Sequence, residues 1–348
     1  MNHADPRLIN LALQGGGAHG AFTWGVLDQL LEDGRVRFDG VTATSAGAMN
    51  AAVLAYGLMR GGADGAREAL HDFWRRISAA AALTSPLRQT PVERWLGMPA
   101  ERSLAFTAFE SLVRTLSPYQ FNPFDLNPLR DVLARCVDFD ELRGCRATRL
   151  FISATNVRSG NVRVFRNEEV SLDAVLASAC LPQLFQAVEI EGSHYWDGGF
   201  MGNPSLYPLF YFTDSRDIVV VHINPMVVDE VPKSAMEIAD RVNEITFNAA
   251  LLKEFRAIAF VVKLLEEGWI KDEYRPRLRH MLMHSIRADE ALNSLGAASK
   301  FNCDWSFLTG LRDRGRDTAR HWLGENFIHL GKRATVDLRA EYLDAEER

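Results

Sequence analysis

Four cysteines in 348 residues, Cys136, Cys145, Cys180 and Cys303, are too few and too scattered for a disulfide framework or a C-x-x-C pair. They read as free thiols in a reducing compartment. No run of Lys and Arg stands out, and a formal net charge of −6 leaves no electrostatic footprint for nucleic acid or for an anionic membrane patch. No apolar run approaches the roughly 20 residues of a membrane-spanning helix. The opening MNHADPRLINLALQGGG is broken by glycine too soon for a signal peptide. Internal repeats and low-complexity tracts are missing too. The expectation is a soluble, cytoplasmic protein whose membrane contact is at most peripheral. Its length suits two domains or one enlarged α/β domain.

What is present is an apolar chain, 47% hydrophobic, with a clear alternation of elements near its start. LINLALQ (8–14) reads as a strand, and Ala21, Trp24, Leu27, Leu30 and Leu31 recur at helical spacing before Gly34. FDGVTATS (38–45) reads as the next strand and AGAMNAAVLAYGL as the next helix, which makes a βαβ unit and predicts a parallel sheet. Residues 63 to about 135 look helical and proline-punctuated. Strands resume at RLFISATN (149–156), NVRVFR (161–166) and DIVVVHINP (217–225). From Ser234 onward the pattern is helical, with a stripe from Ile238 to Val262 that reads as core or as an oligomer seam. The expected fold is therefore a three-layer α/β/α arrangement with a mainly parallel central sheet. Residues 1–228 would form its catalytic domain, with a helical insert at about 63–135, and 229–348 a helical region packed on it.

QGGGAHG (14–20) stands where a strand hands over to a helix. Consecutive glycines allow backbone torsions closed to other residues, and their N–H groups can turn toward one anion at a helix start. Gly15, Gly17 and Gly20 also match the dinucleotide fingerprint G-x-G-x-x-G. That alternative expects an acidic residue at the far end of the second strand, and Asp39 stands at the near end. The far end carries Ser45, in A-T-S-A-G (43–47), one methyl group from the nucleophile elbow G-x-S-x-G. Gly47 fits that motif, whereas the Ala43 methyl must be housed by a neighbouring helix or strand. A serine here can also simply cap the following helix. Adjacent parallel strands would bring this hydroxyl and the glycine N–H groups to one sheet edge, as acyl transfer needs.

A serine nucleophile needs a base. Asp197 followed by His222 can be forced into a Ser-Asp-His order, but that elbow normally follows several strands. The other candidate is HYWDGGFMGNP (194–204), where Asp197, followed by Gly198 and Gly199, would sit at a sharp turn ending a strand.

GGGAHG, ATSAG and the late DGG, in this order, resemble the patatin-like phospholipases. The stretch LDAVLASACLPQLFQAVEIEGSHYWDGGFMGNP (172–204) is similar to the segment preceding that family's catalytic aspartate. The likeness spans about residues 8–225. It implies a Ser–Asp dyad with Ser45 as nucleophile and Asp197 as base, an oxyanion site at Gly15, Gly16, Gly17 and Ala18, and no cofactor or metal. The implied substrate is a lipid or phospholipid ester. Two departures stand out: Ala43 replaces the usual elbow glycine, and His19 stands where the family often has Arg or Lys. A lipid-binding protein without turnover is therefore a further alternative. An aspartate of ordinary pKa is a poor base at neutral pH, so burial must raise it, with Tyr195 and Trp196 as the expected apolar surround. Trp95, Leu96, Met98, Phe106, Phe109 and Phe121 read as packing of the insert or as a cap that dips into lipid.

Overall fold

Buried parallel strands are covered on both faces and so carry near-continuous apolar runs. The first strand, β1 (Arg7–Leu13), is such a run and lies between β2 (Val36–Ala43) and β7 (Asp217–His222), parallel to both. The computed structural model describes residues 6–84, 103–228, 231–274, 278–292 and 295–343. The other strands are β3 (Arg149–Asn156), β4 (Val162–Arg166), β5 (Val188–Ile190), β6 (Ser193–Asp197) and β8 (Leu282–Arg287). The sheet runs β5-β6-β3-β2-β1-β7-β8, with β4 on β3. The pairs β1–β2, β1–β7, β2–β3 and β7–β8 are parallel, and β3–β4, β3–β6 and β5–β6 are antiparallel. The mainly parallel three-layer expectation describes this sheet.

Alternate residues of the central strands feed two cores. Leu11, Leu13, Val219 and Val221 join one cluster, and Ala12, Ile218 and Val220 join the other. The first core lies under helices α1 (Gly20–Asp33) and α2 (Ala46–Thr84). The span α2 is two helices broken close to residue 63, where the insert was expected to start. Gly61 and Gly62 have non-helical torsions and the chain reverses there, so that a Cβ on Gly57 would stand 2.5 Å from Ala66 Cα. Helices α3 (Leu104–Thr115), α4 (Pro128–Cys136) and α5 (Leu172–Ser178) follow. Phe106 and Phe109 of α3 pack near Phe301, with ring centroids 6.5 and 6.4 Å away. Trp95, Leu96 and Met98 lie outside the described residues.

Beyond residue 228, α6 (Ala235–Glu266) covers the second core and α7 (Trp305–Asn326) covers the first. The crossing of α7 on α1 is close because it uses glycine: a Cβ on Gly315 would stand 2.1 Å from the Phe22 carbonyl oxygen. Leu251, Phe255, Ile258 and Ala259 of the Ile238–Val262 stripe are buried, whereas Ile238, Val242 and Ile245 are exposed. The purely helical reading of this region missed β8. Its sequence LMHSIR does not look like a buried strand because of His284 and Ser285. Both are satisfied internally: His284 Nε2 meets Asp217 Oδ1 at 2.9 Å and its Nδ1 meets Thr335 Oγ1 at 2.9 Å, while Ser285 meets His222. Among the described residues, no helix is long and apolar enough to cross a membrane.

Candidate active site

β3 is the ruler that sets the site. Its Ile152 pairs with Ala43, the last residue of β2, and its Ala154 pairs with Asp197, the last residue of β6. Two strand ends distant in sequence therefore finish two residues apart along one neighbour. Ala43 is fully buried between Leu13 and Ile152, so the sheet houses the methyl that departs from the elbow pattern.

Past Ala43 the chain turns sharply. Ser45 has φ 55°, in the left-handed region that non-glycine residues rarely enter. That torsion is not the extended one of a helix cap. The Gly47 N–H donates to the Thr44 carbonyl at 2.9 Å and the Met49 N–H to the Ser45 carbonyl at 3.1 Å, so α2 starts at once. The Ser45 N–H donates to Ser178 Oγ at 2.9 Å. Glycine at 47 is required by packing, since a Cβ there would stand 2.4 Å from the Leu13 carbonyl oxygen.

Asp197 is fully buried. Its N–H donates to the Cys180 carbonyl at 2.8 Å, and Thr155 Oγ1 donates to its carbonyl at 2.8 Å. The carboxylate Oδ1 accepts from the Gly199 N–H at 2.7 Å. Oδ2 has no partner of standard hydrogen-bond geometry among the described residues, although the Ser45 hydroxyl is close enough to stabilise the ionised carboxylate. Burial pushes the Asp197 pKa up to about 7, against the opposing pull of the Gly199 N–H and the Ser45 hydroxyl. The two glycines let the walls come close: a Cβ on Gly198 would lie 2.1 Å from the Ser153 carbonyl oxygen, and one on Gly199 2.3 Å from the Phe247 ring. Phe247 of α6 thus joins the apolar surround. Tyr195 packs against Phe165 instead, with centroids 5.5 Å apart.

The glycine turn adjoins Ser45. A Cβ on Gly15 would stand 2.6 Å from the Ser45 Cβ. The Gly15 N–H is not available to an oxyanion, because it donates to Asn203 Oδ1 at 2.7 Å. This corrects the expectation for Gly15: its place is steric. The N–H groups of Gly16 and Gly17 have no acceptor among the described residues, and Ala18 lies in the short 3-10 turn Gly17–His19 that leads into α1. Gly17 needs its freedom, with φ 59° and the Lys300 carbonyl oxygen 2.5 Å from where its Cβ would be.

His19 and His222 are engaged with other partners. His19 is buried against Ser299 Oγ at 2.7 Å, and burial, with Lys300 adding to it, pushes its pKa down to about 3. It carries no charge at neutral pH. His222 meets Ser285 at 3.2 Å and is pushed down to about 3 by burial and then by Arg287. Asp39 accepts from the Ser215 N–H at 2.8 Å and pairs with Arg149, at the edge of the sheet opposite the glycine turn. It is spent on structure and meets no ribose site.

Three motifs distant in sequence thus meet at one sheet edge, in the order and context of a known group of acyl hydrolases, and the family profile described as Patatin-like phospholipase matches residues 11–210. The chain belongs to the patatin-like phospholipase family. Membership makes it a hydrolase of lipid carboxylic esters. Among solved structures, this patatin-like phospholipase is similar to VipD from Legionella pneumophila, with 16% identity, a TM-score of 0.42, and 92% of this chain and 67% of that chain covered. It is also similar to the heterodimeric ExoU–SpcU complex from the type III secretion system of Pseudomonas aeruginosa, with 19% identity and a TM-score of 0.33. That match covers 92% of this chain and 60% of the other. Curated protein sequences gave no match. Several residues around the site carry no motif of their own: Asn224, Phe247 and Asn248. The Asn203 position was visible only as the N-P that follows D-G-G.

Proposed function

We propose that Ser45 and Asp197 are the catalytic dyad of a lipid acyl hydrolase that works through an acyl-enzyme. One observation carries the reading: a serine in left-handed torsion stands beside a fully buried carboxylate that has no ion-pair partner among the described residues. Asp197 takes the hydroxyl proton as Ser45 Oγ attacks the ester carbonyl carbon. The carbonyl electron pair moves onto oxygen, where the N–H groups of Gly16 and Gly17 receive it. The intermediate collapses, the alcohol leaves with the proton from Asp197, and the acyl group stays on Ser45. Water then gives a proton to Asp197 as it attacks the acyl carbon. The acid departs and Ser45 is reprotonated. A carboxyl whose pKa is about 7 is matched to this proton traffic near neutral pH, which an ordinary carboxylate is not.

The substrate arrives from lipid, and the surroundings of the site support a peripheral membrane contact. Phe124 and Leu126 are exposed on the turn after Asn122, whose carbonyl accepts from Gln186 Nε2 at 2.9 Å. Val227, Val231 and Val242 are exposed where α6 begins, one helical span before Phe247. Stoichiometric labelling by a fluorophosphonate, mapped by mass spectrometry, tests the chemistry. Label on Ser45, lost in Ser45→Ala, is the expected result. Label elsewhere, or none on the folded protein, ends the proposal. A second outcome also overturns it: near-normal turnover in Asp197→Asn with a histidine variant dead.

A further inference from the structure

The glycine turn is held from behind by residues that lie outside the matched family segment. Asn224 Nδ2 donates to the Gly15 carbonyl oxygen at 2.7 Å, and Lys300 Nζ donates to Asn224 Oδ1 at 3.0 Å. The Asn224 N–H donates to Gln14 Oε1 at 3.1 Å, which fixes the side chain's root. Asn224 is fully buried and Lys300 only partly exposed. Asn224 Oδ1 also stands 3.8 Å from where a Gly16 Cβ would be, so the ammonium reaches the turn through the Asn224 amide.

In a trans peptide the C=O of one residue and the N–H of the next point in opposite directions. Fixing the Gly15 carbonyl toward Asn224 therefore fixes the Gly16 N–H away from Asn224. Glycines on both sides of that peptide place little steric limit on its rotation, so the turn alone does not choose between its two faces. A hydrogen bond to the carbonyl also polarises the peptide and makes its N–H a better donor, the more so when the chain of bonds starts at a cation.

We propose that Lys300 and Asn224 are positioning residues that lock the Gly15–Gly16 peptide with its N–H toward the reacting ester. The inference rests on the Ser45–Asp197 reading. Lys300 is not an idle surface cation. Its Nζ is bound, its carbonyl abuts Gly17, and Glu244 and Asp240 lie near enough to oppose the lowering of its pKa that burial causes. The neighbouring Ser299 holds His19, so the 3-10 turn Ala297–Phe301 grips the glycine turn on both sides.

The test uses the full chain and a monomeric p-nitrophenyl ester, with kcat, KM and the rate of fluorophosphonate labelling measured on folded protein. Asn224→Asp keeps size and the bond to Lys300 but sets a carboxylate against the Gly15 carbonyl. A loss of about 100-fold in kcat and in labelling rate is expected, with KM within about 2-fold, in the range of a lost oxyanion donor. Lys300→Met should lose about 10-fold in kcat, and Lys300→Arg should recover most of that loss. If Lys300→Met does not fold, Asn224→Asp and Lys300→Arg carry the test. Folded Asn224→Asp with kcat within about 2-fold of wild type overturns the proposal, as does a rise in KM with kcat intact, which would make these residues substrate contacts. Failure of the wild-type chain to label at Ser45 is a separate result and sinks the dyad instead.

Discussion

A carboxylate with no exposed surface and a pKa near 7 costs the folded state stability whenever it is ionised. The folded-state value lies above the ordinary 3.8, so the contribution of Asp197 favours folding at low pH and is lost as pH rises through about 7. Asn at this position cannot ionise. Asp197→Asn should therefore be inactive, by about 1,000-fold or more, yet gain thermal stability over wild type progressively from about pH 4 to pH 8. Paired melting curves across that range check it, and taking the difference removes Glu254, whose pKa burial also raises to about 7. At Gly15 the steric contact with Ser45 predicts the opposite pairing of effects. Gly15→Ala should cost about 1–3 kcal/mol of stability together with activity, read by denaturant melts and by ester turnover. Ser45 and Asp197 were legible because each is flanked by residues that only a sharp turn requires. Phe247 was not legible, since an apolar residue on a long helix looks like any other until the fold brings it to Asp197.

Helix α6 divides into two unlike halves. Its C-terminal half is core, and Phe255→Ala should destabilise the protein by about 3–5 kcal/mol in a denaturant titration. Its N-terminal half leaves Ile238, Val242 and Ile245 in solvent, and the periodicity of the stripe gave no sign of that change because it continues unbroken. Under the proposed function, exposed apolar side chains such as these and Phe124 and Leu126 suit an interface with bilayer. The double variant Phe124→Asp, Leu126→Asp should lower turnover on phosphatidylcholine vesicles by about 5-fold or more and leave a monomeric ester unaffected. The βαβ opening and the strands β3, β4 and β7 were evident from their apolar runs. β8 was hidden because its two polar residues find partners only in the folded sheet, whereas the glycine pair at 61–62 breaks α2 close to where the insert was expected to begin.

At the scale of the molecule, β8 completes the pairing of β7 and α7 covers α1. A chain ending at residue 228 should consequently fail to give a soluble monomer in size-exclusion chromatography, despite retaining all three motifs. In the full chain, turnover of a soluble ester should climb with pH and reach half its plateau near 7, as Asp197 gives up its proton. The dependence of Gln14 and Gly15 on Ile223, Asn224, Asn248 and Lys300 has a consequence for comparing relatives. With the Gly15–Gly16 peptide held as proposed, two chains identical from 11 to 210 should still differ in rate when positions 224 and 300 differ.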